Sequence, residues 1–321
     1  MSRTSQPDSA GRSVTVHAHA KLNISLAIGP RRAGDGYHLL ESLMVPLDLH
    51  DEVTVAKSAG GFRLEVTGPT IAGVPTDSSN LAWRSAQLLA TEAGLSEIPS
   101  PNALETPGGG GGISANLSIR LHKQIPVGGG LAGGSADAAA TLIGLNELWN
   151  LNWPVERLAA LGARLGSDVP FCTISRPSWV RGRGERVEPL AESLPPLWAV
   201  LILPGLAVST RAVYQRLDAD RLAGIARPGR KHQLGLLECF NDLEQAALSV
   251  SRPLAETFGS LEAFGTPRLM VAGSGSTLFA LFDNASQARE WENRIRLEAR
   301  CAVMVAAVLS DTSNCRRPHR P

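Results

Sequence analysis

One stretch near the middle of the chain has residue types and spacing suited to holding an anion. It reads Pro126-Val127-Gly128-Gly129-Gly130-Leu131-Ala132-Gly133-Gly134-Ser135-Ala136-Asp137-Ala138-Ala139-Ala140. Ahead of it, from Asn116 to Ile125, Leu117, Ile119 and Leu121 alternate with Ser118, Arg120 and His122, the period of a half-buried strand. Behind it, Ala138, Leu142, Leu145 and Trp149 recur at i, i+4, i+7 and i+11, which predicts an amphipathic helix running to about Asn150. Glycines between a strand and a helix let the backbone approach a ligand with no Cβ in the way. The unpaired N–H groups and positive dipole end of the new helix then favour an anion such as phosphate. A flexible linker would not sit between two such well-patterned elements.

No Lys-Ser/Thr pair follows the glycines, so this is not a Walker-type loop. Gly128, Gly130 and Gly133 fit G-x-G-x-x-G, but a dinucleotide fold needs an acidic residue closing a second strand about 20 residues on. Here the helix is followed by Asn152-Trp153-Pro154 and another helical pattern. A side chain added at Gly130 is expected to enter the phosphate space and to cost the fold little.

Four other places offer chemistry. In Ala20-Lys21-Leu22-Asn23-Ile24-Ser25-Leu26, alternation puts Lys21, Asn23 and Ser25 on one face of a strand; the segment alone favours a solvated face over a pocket wall. Tyr37 and His38 follow the turn Gly34-Asp35-Gly36, and both combine a flat face with a hydrogen-bonding tip. Asp168 stands between the helix stop Gly166 and the apolar run Val169-Pro170-Phe171, a position that suits a turn residue and a working carboxylate equally. Gly273-Ser274-Gly275-Ser276-Thr277 is a second small, hydroxyl-rich turn.

The elements that must position these groups fall into two halves. Strands are predicted at Val14–Ile28, Leu47–Val55 and Phe62–Val66, with Gly60-Gly61 as the turn between the last two. Asp77-Ser78-Ser79-Asn80 caps a helix ending at Gly94, and Pro154 opens another with Leu158, Leu161 and Leu165 inside. Pro99 to Gly112 is a glycine-rich insertion, read as mobile. Past a boundary near Pro177, strands are predicted at Trp198–Leu203, Arg268–Ala272, Leu278–Phe282 and Cys301–Leu309. Helical patterns there cover the segment holding Tyr214, Leu237–Ser249, Pro253–Phe264 and Ala285–Ala299, around a basic connection at Ala219–Gln233. The expected units are 13–177 and 178–311, in an α+β arrangement, with residues 1–12 and 312–321 as disordered tails.

Composition narrows the function. A chain of 321 residues is long enough for two cores, and 31 basic against 30 acidic residues make no field to attract nucleic acid or an anionic membrane. Cys172, Cys239, Cys301 and Cys315 show no metal or redox spacing and suggest a reducing cytosol. No signal-like segment and no apolar run near 18 residues is present, which predicts a cytoplasmic, membrane-free protein with a small-molecule partner.

Three separated motifs coincide: Ala20-Lys21-Leu22-Asn23, Pro126 to Ser135, and Gly273-Ser274-Gly275-Ser276. In this order the chain resembles the GHMP small-molecule kinase superfamily. With Asp35-Gly36-Tyr37-His38 and Gly166-Ser167-Asp168-Val169-Pro170 added, it is similar to the branch that phosphorylates a cytidine-diphosphate-linked methylerythritol in the non-mevalonate isoprenoid pathway. The resemblance implies a two-domain α+β GHMP kinase fold. Its N-terminal ATP-binding domain would hold a left-handed β-α-β unit, an exception to the usual handedness, and its C-terminal domain would be ferredoxin-like, with the site in the cleft. It implies Lys21 and Asp168 as the catalytic pair, and ATP with Mg²⁺ on Pro126, Val127, Gly128, Gly129, Gly130, Leu131, Ala132, Gly133, Gly134, Ser135 and Ala136. Asn80 and Lys123 would border the adenine; Asn23, Tyr37, His38, Tyr214, Gly273, Ser274 and Gly275 would face the substrate. No protein metal ligand is implied, and the chain would be a monomer or homodimer. Ala132 stands where the family usually has glycine, and Ala136 where it usually has serine.

Overall fold

A computed structural model of the chain describes residues 3–4, 7–8, 11–58, 61–95, 116–299, 301–310 and 318–319. The Pro99–Gly112 insertion, Gly60, Cys315 and most of both expected tails lie outside the described residues. Short strands β1 (Arg3–Thr4) and β2 (Pro7–Asp8) precede two long ones, β3 (Gly11–Arg31) and β4 (His38–Lys57). β3 and β4 pair antiparallel along most of their length, because Val14, Val16, Ala18, Leu22 and Ile24 give β3 a continuous buried face. Then come β5 (Arg63–Thr67), α1 (Leu81–Glu92), β6 (Leu117–His122) and α2 (Gly133–Leu148). The first half continues with α3 (Val155–Gly162), α4 (Val169–Ile174), β7 (Ser178–Gly182) and β8 (Arg186–Pro189).

β6 lies between β4 and β5, so Gly60-Gly61 does not turn one strand onto its neighbour as the sequence suggested. β5 and β6 are parallel with α1 between them, a β-α-β unit. The β7–β8 hairpin lies past Pro177 yet pairs with β4, so the first sheet runs on to Pro189.

α2 departs from the amphipathic reading. Every residue from Ala136 to Leu145 is buried, and Trp149 follows the helix end. The helix packs on β3 and β4 and against α1, α3 and α4, so it needs an apolar surface all round. Its alanines let those neighbours come close.

The second half holds β9 (Trp198–Leu203), α5 (Thr210–Leu222), β10 (His232–Leu234), β11 (Leu237–Asn241), α6 (Glu244–Val250) and α7 (Arg252–Ala263). It ends with β12 (Met270–Val271), β13 (Leu278–Phe282), α8 (Ala285–Glu298), β14 (Ala302–Ala307) and β15 (Pro318–His319). The strands run β12-β13-β9-β14 with every neighbour antiparallel, the ferredoxin-like order. Leu237 to Asn241, read as the start of a helix, is a strand instead. Cys239 and Asn241 alternate inward, and Phe240 and Asn241 pair in parallel with Ser25 and Leu26 of β3. β10 and β11 thus extend the first sheet from within the second half of the chain.

Ala132 at the start of α2 holds φ of 60°, a left-handed conformation that penalises a Cβ. Ala132→Gly should stabilise the protein by about 1 kcal/mol, read as a higher midpoint in urea unfolding. An unchanged or lower midpoint would mean the Ala132 methyl contributes packing that outweighs its strain.

Candidate active site

The residues singled out from sequence converge on one cavity of about 1080 Å³ in the cleft between the two sheets. Every residue given a role by the resemblance lines it except Leu131 and Ala136, which are fully buried in the core beneath the loop; Ser25, Ser276 and Thr277 are also buried and do not line it. The register of β3 against β4 breaks between His19 and Lys21 and between Asn23 and Ser25, which brackets the Lys21–Asn23 pair. Such bulges re-aim side chains near functional sites.

The face carrying Lys21, Asn23 and Ser25 is buried, which corrects the solvated reading. Lys21 Nζ donates to Asn23 Oδ1 at 2.8 Å, Asn23 Nδ2 donates to Ser42 Oγ at 2.8 Å, and the Ser42 hydroxyl donates to the Ser25 carbonyl at 2.6 Å. Buried polar groups need such partners, and a period-two pattern cannot tell water from a hydrogen-bonded pocket wall. The Lys21 ammonium also stands 3.7 Å from Asp168 Oδ2, whose side chain is 38% exposed to the cavity. Asp168 precedes α4 at the N-cap position, yet its carboxylate caps no helix N–H. That leaves both oxygens for other work.

The glycine loop is pinned on both sides. Lys21 N donates to Leu131 O at 3.1 Å, and Thr277 N donates to Gly129 O at 3.2 Å. A Cβ on Gly130 would lie 2.3 Å from the Ala272 carbonyl oxygen, and Gly130 has φ of 78°. The cost of a side chain there therefore falls on the fold, contrary to the sequence expectation. A Cβ on Gly128 would meet nothing within 4 Å and would face the open cavity. The second small turn reaches the same place, since a Cβ on Gly273 would lie 3.7 Å from Lys21 Nζ. Ser274 is held by a 2.8 Å hydroxyl contact with Thr210.

Asn80 and Lys123 line the cavity with their polar atoms already committed. Asn80 Oδ1 caps α1 through Ala82 N, and Lys123 Nζ is paired with Asp51 and Asp137. Burial works against the Lys123 ammonium, but Asp137 and Asp51 outweigh it and hold its pKa above the ordinary lysine value.

At the far end, His38 and Tyr214 stand with ring centroids 5.0 Å apart, and His38 Nε2 meets Asp218 Oδ1 at 2.7 Å. Burial and then the Asp168 carboxylate push the Tyr214 hydroxyl up to about 12. Tyr37 is half exposed beneath the Arg183 guanidinium. Sequence reasoning missed Asp218, Arg183, Asp51 and Asp137. Nothing local marked the first three; Asp137 alone, an acid inside the alanine run after the glycines, could have been flagged.

The GHMP kinases N terminal domain family matches residues 80–176. The 4-diphosphocytidyl-2-C-methyl-D-erythritol kinase of Thermobifida fusca is 38% identical over 315 residues, covering 93% of this chain and 96% of its own. That of Shouchella clausii is 36% identical over 292 residues, covering 88% and 90%. The chain belongs to the 4-diphosphocytidyl-2-C-methyl-D-erythritol kinase family. A crystal structure of a 4-(cytidine 5'-diphospho)-2C-methyl-D-erythritol kinase superposes with a TM-score of 0.66 at 32% identity, covering 92% of this chain and 98% of that one. Homoserine kinase from Cytophaga hutchinsonii, at 18% identity and a TM-score of 0.63, shares the fold. Among the described residues no helix is long and apolar enough to cross a membrane.

The two loop glycines should respond differently to a methyl group. Gly130→Ala should cost at least about 2 kcal/mol, from collision and left-handed strain together. Gly128→Ala should cost only the strain, about 1 kcal/mol. Urea unfolding of both variants checks this, and equal costs would contradict the packing described.

Proposed function

We propose that this chain transfers the γ-phosphoryl group of ATP to the tertiary 2-hydroxyl of 4-diphosphocytidyl-2-C-methyl-D-erythritol, in the cytoplasm. The observation that carries the reading is one cleft with the glycine loop, the Lys21–Asp168 pair and the His38–Tyr214 pair along it. Membership of the family supports the same substrate.

Phosphoryl transfer asks little covalent chemistry of a protein, so positioning and charge stabilisation dominate. The loop backbone from Gly128 to Ser135, at the N-terminal end of α2, cradles the triphosphate. Magnesium arrives bound to the nucleotide as part of that substrate. Asp168 accepts the proton of the attacking hydroxyl, and Lys21 offsets the charge that develops on the moving phosphoryl group. Asn23 and Ser42 hold Lys21 in line, since Lys21 donates to Asn23 and Asn23 to Ser42. Tyr214 and His38 supply flat faces for the cytosine, and Asp218 fixes the His38 ring.

Tyr214→Ala should raise the KM for the cytidine substrate at least tenfold, because stacking a base on an aromatic is worth roughly 1–3 kcal/mol. The KM for ATP should stay within about twofold. Equal effects on both substrates would place Tyr214 elsewhere.

Asp168→Asn tests the mechanism itself. The amide keeps the shape but accepts no proton, so kcat should fall by at least about 10² while both substrates still bind. A folded variant with kcat within a few fold of the parent would sink the role given to Asp168.

A further inference from the structure

Beneath the glycine loop lies a cluster of charges that the reaction as described does not use. Asp51 comes from β4, Lys123 from the segment after β6, and Asp137 from the second turn of α2; all three are almost wholly buried. Lys123 Nζ donates to both carboxylates. Asp51 Oδ1 also accepts from the backbone of Gln124 and, at 2.8 Å, of Ile125. The cluster thus joins the chain entering the loop to the helix leaving it. A Cβ on Gly133 would lie 3.5 Å from Lys123 Nζ, so the ammonium sits directly under the loop.

The charges do not balance. One ammonium faces two carboxylates, which leaves a surplus negative charge below a seat for a polyanion. The carboxylates are unequal: Asp51 has donors on both oxygens, whereas Asp137 accepts only on Oδ2 and its Oδ1 is buried with no hydrogen-bond partner. A buried carboxylate with one oxygen lacking any donor is costly as an anion, and a proton lowers that cost by removing the charge. Burial pushes the Asp137 carboxyl well above the ordinary carboxylate range; Lys123 opposes the shift and Asp51 adds to it. From the other elements packed on α2, Cys172 of α4 is buried, and burial first, then the Asp168 carboxylate and more weakly Asp137, push its thiol up. Lys21 of β3 is turned to Asn23 and Asp168, and the charged residues of α1 and α3, namely Arg84, Glu92, Glu156 and Arg157, are exposed.

We propose that Asp51, Lys123 and Asp137 form a proton-linked brace for the nucleotide, in which Asp137 Oδ1 takes up a proton from solvent when the anionic triphosphate settles on the loop. The inference rests on nucleotide binding at the loop, and Asp137 is a positioning residue in it. One O–H bond forms at Oδ1, the proton comes from the buffer, and no other bond changes. The sign follows from linkage. The bound anion favours the protonated carboxyl, so affinity is full at low pH and is lost as pH rises through the raised pKa of the bound state.

The test titrates magnesium-ATP into the full chain, without alcohol acceptor, in two buffers of different ionisation heat near pH 7.5. The parent should take up a fraction of a proton per nucleotide, and its affinity should fall by roughly two- to tenfold per pH unit above neutrality. Asp137→Asn can still accept from Lys123 but cannot protonate, so it should take up none and bind with an affinity flat from about pH 7 to 9. Binding by the parent without proton uptake, or the same uptake and pH slope in the variant, would overturn the proposal. Should the variant not fold, an infrared difference spectrum of the parent decides: a protonated carboxyl band should appear on adding nucleotide, and its absence overturns the brace. Failure of ATP to bind at all would instead remove the loop reading on which it rests.

Discussion

The structure depends on the close approach of two backbones, Gly129-Gly130 in the first half and Ala272 to Thr277 in the second. Thr277 N donates to Gly129 O, and a Cβ on either glycine would come within 2.5 Å of the facing turn. Only residues without a side chain allow this contact. It fastens the loop to the ferredoxin-like half and so sets the width of the cleft. The same turn brings Gly273 against Lys21, while Lys21 N holds Leu131 O. Strand, loop and turn therefore meet as one hydrogen-bonded backbone unit, and N–H groups held in advance need little reorganisation when an anion arrives.

Burying polar groups is the second constraint. Lys21, Asn23, Ser25 and Ser42 all sit inside the protein, and each finds a partner in the same short network. Such a network over-determines the position of the Lys21 ammonium, because displacing it would leave the buried Asn23 Oδ1 acceptor unpaired. Asp168 differs in being partly exposed and free of capping duty, so it can meet a substrate hydroxyl without breaking anything.

The glycine loop was legible in the sequence because its requirement is local: a strand period, a run of glycines and a helix follow one another directly. The four-stranded half was legible as well, since Trp198–Leu203 and Leu278–Phe282 are short apolar runs fit for central strands. β11 was misread because Leu237 to Asn241 adjoins a true helix, and its partner, β3, lies far back in the chain. Lys21, Asn23 and Ser25 looked solvated because alternation reports that two faces differ without saying what covers the polar one. Asp218 and Asp51 carried no signal: their partners, His38 and Lys123, are distant in sequence and meet them only in the folded chain. Roles that rest on such long-range pairs become visible only with the fold in hand.

The reaction proposed for this cleft is phosphorylation of the tertiary hydroxyl of a cytidine-linked erythritol. The most direct measurement is phosphorus NMR of the product formed from ATP with 4-diphosphocytidyl-2-C-methyl-D-erythritol, alongside homoserine and mevalonate as competing alcohols. A new phosphomonoester on the 2-position of the erythritol unit, formed in preference to either competitor, is the predicted result. ATP-dependent phosphorylation of homoserine or mevalonate instead, or no phosphorylation of the cytidine compound by folded protein, would contradict it.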